Sequence, residues 1–98
     1  MTFESFRASL AAASPPDGLD PALLALWWAG RKDWERAHAV VQEHEGEPRS
    51  DAVHAYLHRL EGDSANARYW YHRAGRDACS LPADQEWAAL SDELLSAA

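Results

Sequence analysis

Residues 51–75 read DAVHAYLHRLEGDSANARYWYHRAG, two helix-forming runs that are separated by Gly62 and Asp63. Aspartate is a favoured N-cap residue, and a glycine just past a helix end can close the last turn in a left-handed conformation. The pattern therefore predicts two helices, at about 51–61 and 64–75. Because the connection is short, we expect them to pack against each other as an antiparallel hairpin.

The rest of the chain shows the same signals for the starts and ends of helices. Asp20 followed by Pro21 has the form of an N-cap with proline in the first turn, and Asp33 and Ser50 mark further candidate starts. Strand-type alternation is missing and the chain contains no isoleucine. Four glycines fall just past a predicted helix end: Gly30, Gly46, Gly62 and Gly75. We predict an all-α fold with helices at about 3–13, 20–30, 33–45, 51–61, 64–75 and 83–97.

The composition is that of a globular protein with one domain, residues 1–98. The chain has 98 residues, of which 47% are hydrophobic and 26% charged, too apolar for a disordered chain. Its net charge of −7 repels phosphate backbones, so nucleic acid is not an expected partner. A single cysteine, Cys79, excludes an internal disulfide and suits a reducing compartment.

Two further features indicate a cytoplasmic protein with no membrane partner. The longest apolar run, residues 23–29, is far shorter than a bilayer span. The amino terminus places Glu4 and Arg7 where a secretory signal needs an unbroken apolar core.

The second hairpin resembles the tetratricopeptide repeat, a helix-turn-helix unit. The likeness lies in the turn at Gly62 and Asp63, the small Ala67 and the aromatic Tyr71 that follows. At an offset of 30 residues, the first hairpin repeats part of this pattern. The resemblance covers about residues 21–75 and implies five to six short antiparallel helices. The hairpins, about 20–45 and 51–75, would form a right-handed stack flanked by terminal helices at about 3–13 and 83–97.

The block from His54 to Gly75 also resembles a group of small proteins of uncharacterised role. The group shares this histidine, the Glu-Gly-Asp turn and the Tyr-Trp-Tyr run. The resemblance implies no activity that can be carried over to this chain.

Helix 51–61 departs from the tetratricopeptide pattern. In the repeat register its inward positions hold polar or small residues where the family has large apolar ones: Asp51, His54, Ala55, His58 and Glu61. Two arrangements remain open. Either the helix is rolled so that it buries Val53, Leu57 and Leu60, or polar groups point between the helices.

His54, His58 and Glu61 are candidates for chemistry. The two histidines are four residues apart and stack on one helix face, with the glutamate one turn further on. Such a trio could ligate zinc or another first-row divalent metal, with water completing the shell, or act as acid and base. The alternative is that these side chains simply bond to neighbouring groups. We interpret His38 and His44 as structural histidines.

Aromatic and basic residues predict a binding surface. The chain has five tryptophans, more than a core of this size needs, and its second hairpin is rich in arginine. We predict a groove lined by Trp28, Tyr56, Tyr69, His72 and Arg73. The expected function is a protein- or peptide-binding scaffold without a cofactor or catalytic residues, alone or as a homodimer. The alternative is a metal-dependent or acid–base enzyme that uses His54, His58 and Glu61.

Overall fold

The fold is all-α, as predicted. The computed structural model describes residues 1–97, which form six α-helices and one 3-10 turn. The helices are α1 (Phe3–Ala8), α2 (Pro21–Gly30), α3 (Trp34–Gln42), α4 (Pro48–Leu60), α5 (Ser64–Arg73) and α6 (Ala83–Ser96), and the 3-10 turn (Ser9–Ala11) follows α1. They pack into a compact globule with a radius of gyration of 12.2 Å.

The predicted hairpin around Gly62 and Asp63 is confirmed. The backbone N–H of Asn66 donates to the Asp63 carboxylate over 3.1 Å, so Asp63 caps α5. Gly62 adopts a φ of 84°, a left-handed conformation that favours glycine. The helices α4 and α5 then pack against each other along their length, and a small core lies between them.

The predicted start of α4 is wrong by one turn. The helix begins at Pro48, and Ser50 is buried inside it with 1% of its surface exposed. Proline suits the first helical position, because its missing N–H has no intrahelical acceptor there and its φ is already helical. Pro48 therefore begins this helix, and Ser50 is not its cap.

Gly30 also differs from its predicted role as a left-handed helix stop. It is the last residue of α2, and the positive φ, 64°, falls on Lys32. A Cβ atom at position 30 would lie 2.9 Å from Leu10 Cδ1 and 3.0 Å from Trp87 Cζ2. Close packing of three elements therefore explains this glycine.

The centre of the molecule is α4. It contacts α2, α3, α5 and α6, and every residue from Ser50 to His58 is buried. Both arrangements left open by the sequence therefore occur together: Val53 and Leu57 are buried, and so are the polar Asp51, His54 and His58. Leu60, by contrast, is 41% exposed.

The larger apolar core lies on the side of α4 that faces α2 and α6. Its bulkiest members are the aromatic residues Phe6, Trp27, Tyr56 and Trp87. Indole N–H groups inside it are satisfied, since Trp87 Nε1 donates to the carbonyl of Leu26 over 2.8 Å. Among the described residues, no helix combines the length and apolar character that crossing a membrane requires.

Candidate metal centre

Three histidine side chains meet where α3, α4 and α5 pack together. His38 comes from α3, and His54 and His58 come from successive turns of α4. We call these three residues the histidine cluster. His54 and His58 are 2% and 6% exposed, and His38 is half-buried. The cluster therefore lies mostly inside the protein.

Two tryptophans form the walls of this cluster. The Trp70 ring of α5 stacks on His54, with ring centres 3.9 Å apart and an interplanar angle of 12°. Trp34, one turn before His38 on α3, stacks on His38 at 4.5 Å and 16°. Trp34 is itself held in place, because its Nε1–H donates to the carbonyl of Leu57 over 2.7 Å. The rings of His38 and His54 are thus held by flat apolar surfaces, whereas His58 meets Trp34 at an angle of 66°, with ring centres 6.1 Å apart.

The ring nitrogens converge. Nε2 of His38 lies 3.1 Å from Nε2 of His54. One nitrogen from each of His38, His54 and His58 can be chosen so that all three lie within 4.8 Å of one another. Two nitrogens on one tetrahedral zinc ion lie roughly 3.3 Å apart, because each Zn–N bond is about 2.0–2.1 Å long. The first pair is already close to that separation, and side-chain rotation can bring the third nitrogen in.

Burial keeps two of these imidazoles neutral. Desolvation, followed by the charges of His38 and His58, lowers the pKa of His54 from 6.5 to about 4. Desolvation and His58 also lower the pKa of His38, against the opposing effects of Glu61 and Glu45. Since metals bind the neutral imidazole, a low pKa leaves lone pairs available near neutral pH.

His58 has partners on both sides of its ring. Its Nδ1 lies 2.5 Å from Oε1 of Glu61, and its Nε2 lies 3.3 Å from the Asn66 amide nitrogen. A carboxylate only accepts, so this network assigns the ring proton to Nδ1. Glu61 then stands to His58 as carboxylates commonly stand to metal-binding histidines, orienting the ring and raising its basicity.

His54 differs from His58, because its Nδ1 atom is buried and lacks a hydrogen-bond partner within residues 1–97. An unsatisfied buried polar atom costs about 1–3 kcal/mol, and native proteins contain few of them. The other ring nitrogen of His54, Nε2, is the one that approaches His38, so only this side of the ring takes part in the cluster.

The sequence identified part of this cluster. His54 and His58 were predicted from their spacing on one helix, and both lie in it. Glu61 bonds to the outer side of His58 instead, and with His58 and Asp63 it forms a second group of ligand atoms within 4.8 Å of one another. His38, interpreted from the sequence as structural, supplies the third imidazole. Its position opposite α4 depends on helix packing, which spacing along one helix cannot reveal.

The predicted groove residues occupy different environments. Tyr69 is 52% exposed, and its hydroxyl accepts a hydrogen bond from Arg73 over 3.0 Å. His72 is exposed on the same helix, and Trp28 is half-buried beneath the guanidinium of Arg36. Tyr56 is buried, with 4% of its surface exposed, beside a cavity of about 360 Å³ that Trp87 also lines. Burial raises the pKa of Tyr56 to about 12.

Comparisons of this chain with protein-family models, with curated proteins and with solved structures gave no match. The histidine cluster is accordingly interpreted from its own residues, distances and burial.

Proposed function

We propose that this protein binds a first-row transition-metal ion, with His38, His54 and His58 as its ligands. The observation that carries the proposal is the convergence of three imidazoles from two helices, with ligand nitrogens within 4.8 Å of one another in a buried position. The alternative reading of the sequence, a metal site built on His54, His58 and Glu61, is thereby revised. His38 takes the place of Glu61 in the first coordination shell.

The donor set narrows the choice of metal. Three imidazoles without a thiolate suit zinc, copper(II) or nickel(II), whereas magnesium and calcium prefer oxygen ligands. Zinc needs four ligands, so three histidines leave one position for water or an added molecule. Metal-dependent hydrolysis requires such an open position. The enzyme alternative can therefore be tested by assaying the zinc-loaded protein for hydrolysis.

Zinc titration of tag-free protein tests the proposal. We expect one ion per chain, and a concentration of free zinc 100 times the Kd should stabilise the fold by about 2.7 kcal/mol. For a domain of this size that corresponds to a rise in Tm of roughly 10–20 °C. Isothermal titration calorimetry gives the stoichiometry and affinity, and circular dichroism melts give the Tm.

Matched histidine variants provide the control. His38→Gln and His54→Gln each remove one ligand and should weaken zinc binding by more than the roughly 10–100-fold typical of outer-shell partners. His72→Gln removes an exposed imidazole outside the histidine cluster and should leave binding unchanged. Equal affinities for all these variants would refute the proposal.

A protein- or peptide-binding scaffold is the second candidate. It includes the finer, tetratricopeptide-like arrangement, in which hairpins α2–α3 and α4–α5 form a right-handed stack. The exposed Tyr69 favours this candidate, because an aromatic ring held by an arginine on the same helix is a common feature of interfaces. The proposed surface comprises Tyr69, His72 and Arg73 together with the half-buried Trp28, without the buried Tyr56, and the partner is a protein, a peptide or a second copy of this chain.

Sedimentation analysis tests the simplest form of this second candidate, self-association. Tyr69→Ala combined with Arg73→Gln should abolish any dimer of the wild-type protein, whereas Arg68→Gln, an exposed arginine of the same helix, should not. Identical association of both variants would remove this surface from consideration.

A further inference from the structure

His58 belongs to two groups of potential ligands. The inner group is the histidine cluster, and the outer group joins His58 to Glu61 and Asp63, again with ligand atoms within 4.8 Å of one another. The two groups differ in environment, because Glu61 and Asp63 are exposed to solvent whereas His54 is 98% buried. One imidazole therefore connects a surface site rich in oxygen ligands to an interior site rich in nitrogen ligands.

A buried all-imidazole site needs a route for its ion. A divalent cation in water is surrounded by bound water molecules, and neutral imidazoles behind two tryptophan walls offer no charge to attract it. Exposed carboxylates attract the cation over several ångströms, and their oxygen atoms replace its bound water molecules. Glu61 and Asp63 lie where such a step would begin.

We propose that His58, Glu61 and Asp63 form a capture site through which a divalent first-row cation reaches the histidine cluster. The inference rests on the proposed metal-binding function. The ion first binds the two carboxylates, and Nδ1 of His58 joins them as its proton passes through water to Nε2, so that the imidazole stays neutral. Rotation of the imidazole about its Cβ–Cγ bond then carries the ion inward, where nitrogens of His38 and His54 replace the carboxylate oxygens.

The close pair of ring nitrogens in the inner site supports the direction of transfer. Nε2 of His38 and Nε2 of His54 lie 3.1 Å apart, and two neutral rings share at most one hydrogen bond there, so a lone pair faces the opposite imidazole. The outer carboxylates are already occupied in part, Glu61 by His58 and Asp63 by the backbone N–H of Asn66. Stronger imidazole binding inside than carboxylate binding outside makes the inner site the destination for zinc, copper(II) or cobalt(II).

Stopped-flow loading of cobalt(II) tests the capture step. Cobalt(II) gives visible absorption bands when it enters a low-coordinate nitrogen site, so arrival at the histidine cluster is observed directly. Asp63→Asn and the double variant Glu61→Gln/Asp63→Asn remove charge but preserve local structure, because asparagine caps helices well and glutamine still accepts from His58. We expect the loading rate to fall about tenfold or more in the double variant.

The control is Glu4→Gln/Asp77→Asn, which removes the same two charges at exposed positions outside both ligand groups. It should load like the wild-type protein. The rate of release into excess EDTA separates two roles of the carboxylates, since a route that speeds loading also speeds release. In Asp63→Asn, which keeps the bond between Glu61 and His58, we expect loading and release to slow together with little change in the equilibrium Kd. The double variant also loses the Glu61 carboxylate behind His58, so its Kd should rise by roughly 10–100-fold in addition.

An unchanged loading rate in the double variant would overturn the capture site. Faster release in that variant would then make Glu61 only an outer-shell partner of His58. Wild-type protein still binds cobalt(II) at equilibrium in that case, so the proposed function survives. If wild-type protein binds no cobalt(II), both proposals fail together.

Discussion

Two buried polar clusters flank α4, and they differ in how completely their hydrogen bonds are satisfied. In the carboxylate cluster, Glu86 accepts from Arg59 over 2.7 Å at one oxygen and from the Tyr71 hydroxyl over 2.5 Å at the other. In the histidine cluster, the two α4 imidazoles are equally buried, but Nδ1 of His54 has no partner within residues 1–97. The first cluster satisfies its polar atoms within the protein, whereas the second leaves one buried ring nitrogen unpaired among the described residues.

This difference teaches which buried polar groups stabilise a fold. A fully paired network contributes to stability and fixes the packing of its helices, here α4, α5 and α6. A partly paired cluster lowers stability, because each unsatisfied buried polar atom costs about 1–3 kcal/mol. The burial also affects Tyr71, because desolvation together with its bond to Glu86 raises the pKa of the hydroxyl well above its usual value.

The largest expected effect comes from breaking the carboxylate cluster. Glu86→Ala leaves the buried Tyr71 hydroxyl without its acceptor, which costs about 1–3 kcal/mol, and it removes the ion pair of the partly exposed Arg59, which costs roughly 1 kcal/mol more. We expect this loss in the free energy of unfolding, measured by urea titration. Glu93→Ala breaks an exposed bond to Arg76 and should cost less than about 1 kcal/mol. Equal losses of unfolding free energy in the two variants would mean that the buried pair stabilises the fold no more than the exposed one.

Acid should destabilise the histidine cluster next most strongly. The folded-state pKa of His54 is about 4, below the ordinary value of 6.5, so between these values the unfolded chain binds more protons than the folded one. Metal-free protein should therefore keep its full stability above about pH 6.5 and lose roughly 3 kcal/mol as the pH falls to about 4. His38, whose pKa is also lowered, acts in the same direction, and His58 faces both rings.

Urea titrations at several pH values, with chelator present, measure this dependence. In His54→Leu the loss of stability between pH 6.5 and 4 should be clearly smaller. The same slope in wild-type and variant would mean that other groups cause the acid sensitivity.

The smallest expected effect compares the two α4 histidines directly. His54→Leu removes a buried imidazole with an unpaired nitrogen, so metal-free protein should be as stable as wild type or more stable by about 1 kcal/mol. His58→Leu removes bonds to Glu61 and Asn66 and should destabilise by about 1 kcal/mol. Both variants should lose zinc binding. A strongly destabilised His54→Leu would show that His54 serves the core and not a ligand.

The sequence predicted the elements whose signals are local. Asp20, Asp33 and Asp63 each cap the helix that they were expected to start, because a cap involves residues only three positions apart. The start of α4 was wrong because Ser50 resembles a cap, although Pro48 is the residue suited to the first turn. A local rule fails here because two local signals compete.

The sequence predicted only the part of the site that lies on a single helix. The spacing of His54 and His58 places both on one face of α4, but His38 joins them through the packing of α3 on α4. The sequence left open whether the polar residues of α4 point between helices, because periodicity cannot show that four other helices surround this one. The burial of Tyr56 has the same origin.

The flat contacts of Trp34 and Trp70 with His38 and His54 have a practical consequence. Indole emission is quenched by a protonated imidazole or a paramagnetic ion at van der Waals distance. The protein therefore carries a built-in optical probe, and its intrinsic fluorescence should report the arrival of a proton or of copper(II) without any attached dye.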